Sequence, residues 1–197
     1  MNFLTRTMSG MVFAALAVVS QHAYAFGPGG LSKPMGRVIE GAFIKTRART
    51  AAPFAHVVFC KSLPGECTAQ NGSDTVELNG SKRRELVSVN RRVNRQIKGR
   101  NDQRADEWSL APKSGDCEDF AITKRHALIK MGWPSSTLRL AIAHTSWGEG
   151  HLVLVVRTSK GDLVLDNLTN TVREWNRTGL RWEMIQSSDN PRNWNRI

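Results

Sequence analysis

The apolar positions of this chain change period along its length, and the changes mark its elements. Leu86, Val89, Val93 and Ile97 recur three and four residues apart, the repeat of one buried helix face on an otherwise basic segment. Ser81 is placed to cap that helix and Gly99 to end it. A shorter helix is expected over 53–61, followed by a polar loop rich in Gly, Asn and Ser that runs through Gly80. A third is expected over 117–131, capped by Asp116, with Phe120, Ala121, Leu128 and Ile129 inward and Gly132-Trp133-Pro134 as its stop. The pattern then turns to strands at 138–144, 150–158 and 162–168, the last two joined by the turn Ser159-Lys160-Gly161-Asp162 as an antiparallel hairpin. The unbroken apolar run Leu152-Val153-Leu154-Val155-Val156 reads as a central strand. Trp182, Met184 and Ile185 predict one further strand before the Asp189-Asn190-Pro191 turn and a tail. Helices first and a hairpin sheet afterwards predict an α+β domain.

Ahead of these elements stand Arg6, an apolar run at 8–19 and the small-x-small triplet Ala23-Tyr24-Ala25, the three parts of an export signal. Cleavage is expected after Ala25, leaving 26–197 as a single domain of about 170 residues, enough for one hydrophobic core. The run is shorter than the roughly 20 apolar residues that span a bilayer, so no membrane span is expected after cleavage, and the compartment is expected to be the periplasm. Lys and Arg number 28 against 17 Asp and Glu. That excess attracts polyanions without choosing among them, and a solvated basic surface accounts for it. Groove-reading and stacking motifs are missing, so nucleic acid is not an expected partner.

Three cysteines divide into a close pair and a single residue. Cys60 and Cys67 flank a Pro64-Gly65 turn, and export into an oxidising compartment predicts a disulfide between them, contributing about 2.5 kcal/mol in the chain-entropy model. Zinc on the same pair would need a second ligand pair at metal spacing. Cys117 is then the odd thiol. It stands at a helix start, where unpaired N–H groups and the dipole favour a thiolate, yet Asp116, Glu118 and Asp119 surround it and oppose one. His151 opens one strand of the hairpin and Asp166 closes the other, at the same end, so a base and its orienting carboxylate are expected as cross-strand neighbours about 5 Å apart. Cys117, His151 and Asp166 in that order predict nucleophilic catalysis. The acidic residues fit either a helix start favoured by its dipole or the hard oxygen donors of a calcium ion whose charge would relieve the thiolate. One oxyanion donor is expected from the Cys117 N–H. For a second, Asn94, Gln96 and Trp108 all remain open. Trp147-Gly148-Glu149-Gly150, just before the base, reads as a flexible rim able to touch substrate.

The blocks Gly115-Asp116-Cys117-Glu118-Asp119-Phe120-Ala121, Gly150-His151-Leu152-Val153-Leu154 and Leu165-Asp166-Asn167-Leu168 resemble the three motif blocks of the bacterial transglutaminase-like cysteine proteinases. The resemblance extends to Asp106-Glu107-Trp108, the 59–67 segment and Asp189-Asn190-Pro191-Arg192. It implies a papain-like fold of the transglutaminase variant, with Cys117 as nucleophile, His151 as general base and later acid, and Asp166 orienting His151. It further implies calcium held by Asp116 and Glu118, with Asp119 as a third candidate. The implied substrate is a large surface adhesin cut near its N-terminus at a paired-alanine site, and an inner-membrane cyclic di-GMP receptor is an implied partner. The same three residues would equally serve an acyltransferase or amidase acting on cell-wall peptides or glutamine side chains.

Overall fold

The computed structural model describes residues 41–70, 72–100 and 107–197. These lie within one compact unit, Arg37–Ile197. The expected export signal and its cleavage point fall outside the described residues. Among those described, no helix is long and apolar enough to cross a membrane.

Three helices follow the predicted stripes closely. Helix α1 spans Phe54–Ser62, α2 spans Gly80–Gln96 and α3 spans Cys117–Lys130. The apolar stripe of α2 is buried as expected, with Leu86, Val89, Val93 and the following Ile97 no more than 4% exposed. Its cap is Asn79, not Ser81: the Asn79 backbone is extended and its Oδ1 accepts the Lys82 N–H at 2.9 Å, the third amide of the helix. Asp116 occupies the N-cap position of α3 with extended backbone, but its side chain makes no capping hydrogen bond. Helix α3 ends through Met131 and Gly132, whose φ of 83° suits a glycine.

The strands are β1 (Arg49–Thr50), β2 (Lys98–Gly99), β3 (Ser114–Gly115), β4 (Leu138–His144), β5 (Gly150–Thr158), β6 (Gly161–Leu165), β7 (Arg173–Glu174), β8 (Arg181–Gln186) and β9 (Trp194–Arg196). Seven form one sheet in the order β1-β9-β8-β4-β5-β6-β7, with antiparallel neighbours throughout, and β2 pairs with β3 in parallel. The domain is α+β. The expected C-terminal tail is a strand instead, because Trp194 is fully buried and fastens β9 between β8 and β1. The expected strand at 162–168 stops at Leu165, where the chain turns away and Asp166 begins the departing loop.

Both faces of the sheet are covered, which explains the unbroken apolar run in β5. Leu152, Leu154 and Val156 join the helices in the larger core, while Val153 and Val155 pack with Ile44, Ala141, Val164 and Ile185 on the other side. Each fully buried Leu or Val contributes roughly 1.5–3 kcal/mol. The second face is pinned by Asp162, fully buried, which accepts hydrogen bonds from the Ile44 N–H, Arg139 and Arg157.

Helix α3 is buried almost all round, with Asp119, Thr123, Lys124 and Arg125 inside along with its apolar residues. Its far end is clamped to the disulfide loop. Cys60 and Cys67 are bonded, with Cα atoms 5.5 Å apart. Between them Glu66 faces α3: its carbonyl accepts from Arg125 at 2.7 Å and its carboxylate meets His126 at 2.5 Å. The disulfide also closes off the zinc reading. His56 does lie within 3.4 Å of the Cys60 sulfur, but both thiols are consumed by the bond.

Candidate active site

Cys117 is delivered by backbone. The short parallel pair β2–β3 joins the exit of α2 to Ser114–Gly115, one residue short of the nucleophile, with the Arg100 N–H donating to the Gly115 carbonyl at 2.8 Å. Helix α3 starts there, so Cys117 sits in its first turn. The Leu152 N–H of β5 donates to Sγ at 3.4 Å, placing the sulfur against the strand that carries His151. The thiol itself donates to Glu118 Oε2 at 3.0 Å, and among the described residues no hydrogen bond joins it to His151.

His151 and Asp166 meet directly. His151 Nε2 and Asp166 Oδ1 are 2.8 Å apart, and both residues are buried. They are not opposite each other on the ladder. The register Leu154 to Leu165 puts position 166 opposite Val153, so the pair is diagonal and the side chains bridge the longer gap. Asp166 Oδ1 also accepts the Leu168 N–H at 2.9 Å, and Asn94 Nδ2 donates to the Asp166 carbonyl at 3.1 Å. Despite burial, which raises it, the His151 hydrogen bond and charge, followed by the Leu168 N–H, hold the Asp166 carboxyl below its ordinary pKa. An ionised carboxylate only accepts, so Nε2 carries the proton and the lone pair of the neutral ring lies on Nδ1.

The acidic neighbours behave as simple electrostatics dictates. Burial raises the Cys117 thiol first, and the Glu118 charge and its hydrogen bond raise it further. Glu118 is itself pushed up to about 7, by burial and then by the hydrogen bond and charge of Asp116. Asp116 and Glu118 thus form a close carboxyl pair in a partly dry setting, turned away from the capping role. That donor set fits a hard divalent cation. Asp119 is placed differently. It is buried, its Oδ1 accepts the Ser109 N–H at 2.6 Å, and its other oxygen lies under Gly115. A Cβ built on Gly115 would come within 1.8 Å of that oxygen, so this glycine is required. Gly115→Ala is expected to lower stability by about 1–3 kcal/mol through overpacking and to displace the Ser109 loop, readable from a denaturant midpoint.

A cleft of about 600 Å³ contains Cys117, His151, Asp116 and Glu118 together. Its walls include Gly99, Arg100, Thr145, Asn167 and Leu168, none of which the hydrophobic pattern could single out. Trp147 and Leu168 stand at its edge, 63% and 55% exposed. The rim at Trp147 is a hydrogen-bonded turn. Gly148 takes φ 91° and donates to the Thr145 carbonyl, the Thr145 N–H donates to the Glu149 carbonyl, and the indole donates to Glu149 Oε2 at 2.7 Å. The three residues left open as second oxyanion donors lie elsewhere. Asn94 holds the Asp166 and Thr169 carbonyls, Trp108 is buried against His56 and Phe59, and Gln96 is exposed outside the cleft lining.

A cysteine at the head of a helix, laid against an antiparallel sheet with a hydrogen-bonded His on one strand and an Asp just past the end of its neighbour, is the arrangement of a papain-like fold in its transglutaminase variant. The model of the bacterial transglutaminase-like cysteine proteinase family matches residues 46–197, and the chain belongs to that family. That family is one of cysteine proteinases. No curated protein sequence matches the chain. Among solved structures it is similar to Legionella pneumophila LapG. The EGTA-treated form is 28% identical over 53% of this chain and 62% of LapG, with a TM-score of 0.47. The calcium-bound form is 24% identical over 66% of this chain and 82% of LapG, with a TM-score of 0.49. The first of these matches therefore spans less than two thirds of LapG, and the family assignment rests on the sequence match.

Proposed function

We propose that this protein is a periplasmic, calcium-dependent cysteine endopeptidase with Cys117, His151 and Asp166 as its catalytic residues. The observation that carries this reading is the 2.8 Å His151–Asp166 hydrogen bond, set beside a helix-start cysteine in one open cleft. Asp166 fixes the ring with Nε2–H toward itself and leaves Nδ1 as the base. The Cys117 side chain turns from Glu118 to give its proton to Nδ1, and Sγ attacks the scissile carbonyl. The Cys117 N–H, in the first helical turn, faces the developing oxyanion. Nδ1–H then protonates the leaving amine, and water, deprotonated by the same nitrogen, releases the acyl group from sulfur.

Asp116 and Glu118 would hold the calcium, with Asp119 bracing the loop behind them. When bound, the ion supplies positive charge that offsets the two carboxylates and eases thiolate formation. The substrate in this reading is an exported protein, a large surface adhesin cut at a paired-alanine site, with an inner-membrane cyclic di-GMP receptor as the restraining partner. Both follow from the family resemblance. The test is incubation of the purified protein with a fusion carrying an alanine-rich linker, followed by sequencing of new termini. New termini at the linker support the reading, whereas amide crosslinks to an added amine in place of new termini would make it an acyltransferase.

Trp147 flanks the cleft without touching the catalytic residues in any hydrogen bond. Trp147→Ala is accordingly expected to raise KM about three- to tenfold and leave kcat within twofold, as removal of uniform binding does. Steady-state kinetics on the linker fusion check it.

A further inference from the structure

Helix α2 concentrates the positive charge that is scattered elsewhere. Its 17 residues include Lys82, Arg83, Arg84, Arg91, Arg92 and Arg95 against one acid, Glu85. That acid is already engaged, by Lys82 at 2.9 Å and by the Trp133 indole N–H at 2.8 Å. The five arginines are all exposed, and among the described residues none of them forms an ion pair with a carboxylate. Acids placed three or four residues from bases stabilise a solvated helix face, whereas like charges at that spacing destabilise it. Arg91 and Arg95 stand four apart with no acid beside them. Solvation alone gives no reason to keep that arrangement.

The charges share a face. Positions 84, 88, 91 and 95 recur at spacings of four and three, opposite the buried Leu86, Val89 and Val93. An open trough of about 610 Å³ lies over them, lined by Arg83, Arg84, Val87, Ser88, Arg91 and Arg95. At 1.5 Å per helical residue, Arg84 and Arg95 are about 16 Å apart along the axis, the length of about five residues of extended chain. The same segment leads to the catalytic cleft. Helix α2 passes through Ile97 into β2, where Lys98 is exposed, and Gly99 and the exposed Arg100 line the cleft itself. A basic track thus follows the chain from Arg84 to the cleft wall.

We infer that this face of α2 is an exosite for an acidic segment of the protein substrate, held in extended form by Arg84, Arg91 and Arg95 while a nearby peptide bond lies at Cys117. The inference rests on the proposed endopeptidase reading and names a feature of its substrate. Guanidinium forks pair with carboxylates through two parallel hydrogen bonds, so a row of them suits a run of Asp or Glu. The five residues from Arg95 to Arg100 span at most about 17 Å, which places the acidic run within about ten residues of the scissile bond. Other occupants fit less well. A second copy of this chain would bring the same arginines face to face across a two-fold contact. Residues 1–40 of this chain offer one acid, Glu40, beside Arg6, Lys33 and Arg37. An anionic lipid surface is drawn to any outward charge, and it accounts for neither the trough nor its continuation into the cleft.

The experiment extends the alanine-rich linker fusion with a run of about five glutamates, or of glutamines as control, on one side of the linker and then on the other. On its better side the glutamate form should show kcat/KM at least about tenfold above the glutamine form, as three exposed ion pairs together supply, and the ratio should shrink as salt is raised. With Arg91→Glu and Arg95→Glu together, the preference should reverse toward a run of lysines. A wild-type ratio near one, or a glutamate preference that survives the charge reversal, would overturn the inference. Binding is read without turnover on Cys117→Ala and a fluorescent glutamate-rich peptide. Adding Arg84→Gln, Arg91→Gln and Arg95→Gln should raise its Kd at least about tenfold. This arm carries the test should the charge-reversed helix not fold. An unmoved Kd overturns the inference, and so does binding to vesicles of anionic phospholipid through these arginines with none to the peptide. Peptide binding with no cleavage of any fusion would sink the protease reading alone, and cleavage indifferent to the flanking run would sink the exosite alone.

Discussion

Replacing Cys117 by alanine is expected to abolish cleavage, with a fall of at least about 10⁴-fold in kcat, while the protein keeps its fold. The loss is large because no other group can take its place: Cys117 is the free cysteine among the described residues, the other two being joined in the disulfide. Stability should change little. The residue is partly exposed, and among the described residues its sulfur hydrogen-bonds with Glu118 and the Leu152 N–H, so truncation leaves no deep cavity. Circular dichroism and a denaturant midpoint beside the cleavage assay separate lost chemistry from lost folding. Retained cleavage would remove Cys117 from the mechanism.

Removing calcium is expected to have the next largest effect, and to leave a signature outside catalysis. Glu118 is raised from its ordinary value to about 7, so the folded protein binds more protons there than the unfolded chain between the two values. With chelator present, the contribution of Glu118 therefore makes stability fall as pH rises through that window. Calcium should relieve this penalty, so the rise in unfolding temperature on adding it should be larger above pH 7 than at pH 5. Activity should be lost to chelation and restored by calcium. Glu118→Gln gives the contrast. It removes the charge and the carboxylate acceptor that raise the Cys117 thiol, so the thiol should react faster than wild type in chelator, while the response to calcium weakens. Indifference of both stability and activity to calcium would exclude Asp116 and Glu118 as its ligands.

The stripe of α2, the start of α3 and the spans of β4 and β5 were legible in the sequence because each buries one regular pattern: Leu86 to Ile97 at helical spacing, and an apolar run closed by a Gly-containing turn. The short edge strands were not legible. Two or three residues such as Arg49–Thr50 carry no period, and they exist because the neighbouring strand offers free backbone groups. The site divides in the same way. Cys117, His151 and Asp166 could be named from residue type and order, and the hairpin was expected to unite the last two, though as opposite and not diagonal neighbours. Glycine at position 115 is demanded by the Asp119 carboxylate folded beneath it, a contact that no local pattern announces. Lys124 is the extreme case. On a helix that looks amphipathic a lysine reads as solvent-facing, and only the all-round burial of α3 turns it inward.

Alkylation of Cys117 tests the central claim without a known substrate. The rate of iodoacetamide labelling at pH 7, followed by intact mass, should be at least tenfold higher with calcium than with chelator in the wild type, because only a thiolate attacks the reagent. His151→Ala should lose that calcium-dependent rate, since the proton then has no acceptor. A Cys117 that labels at one slow rate whatever the calcium, and equally with or without His151, would contradict the assignment of this cleft as a thiol protease site.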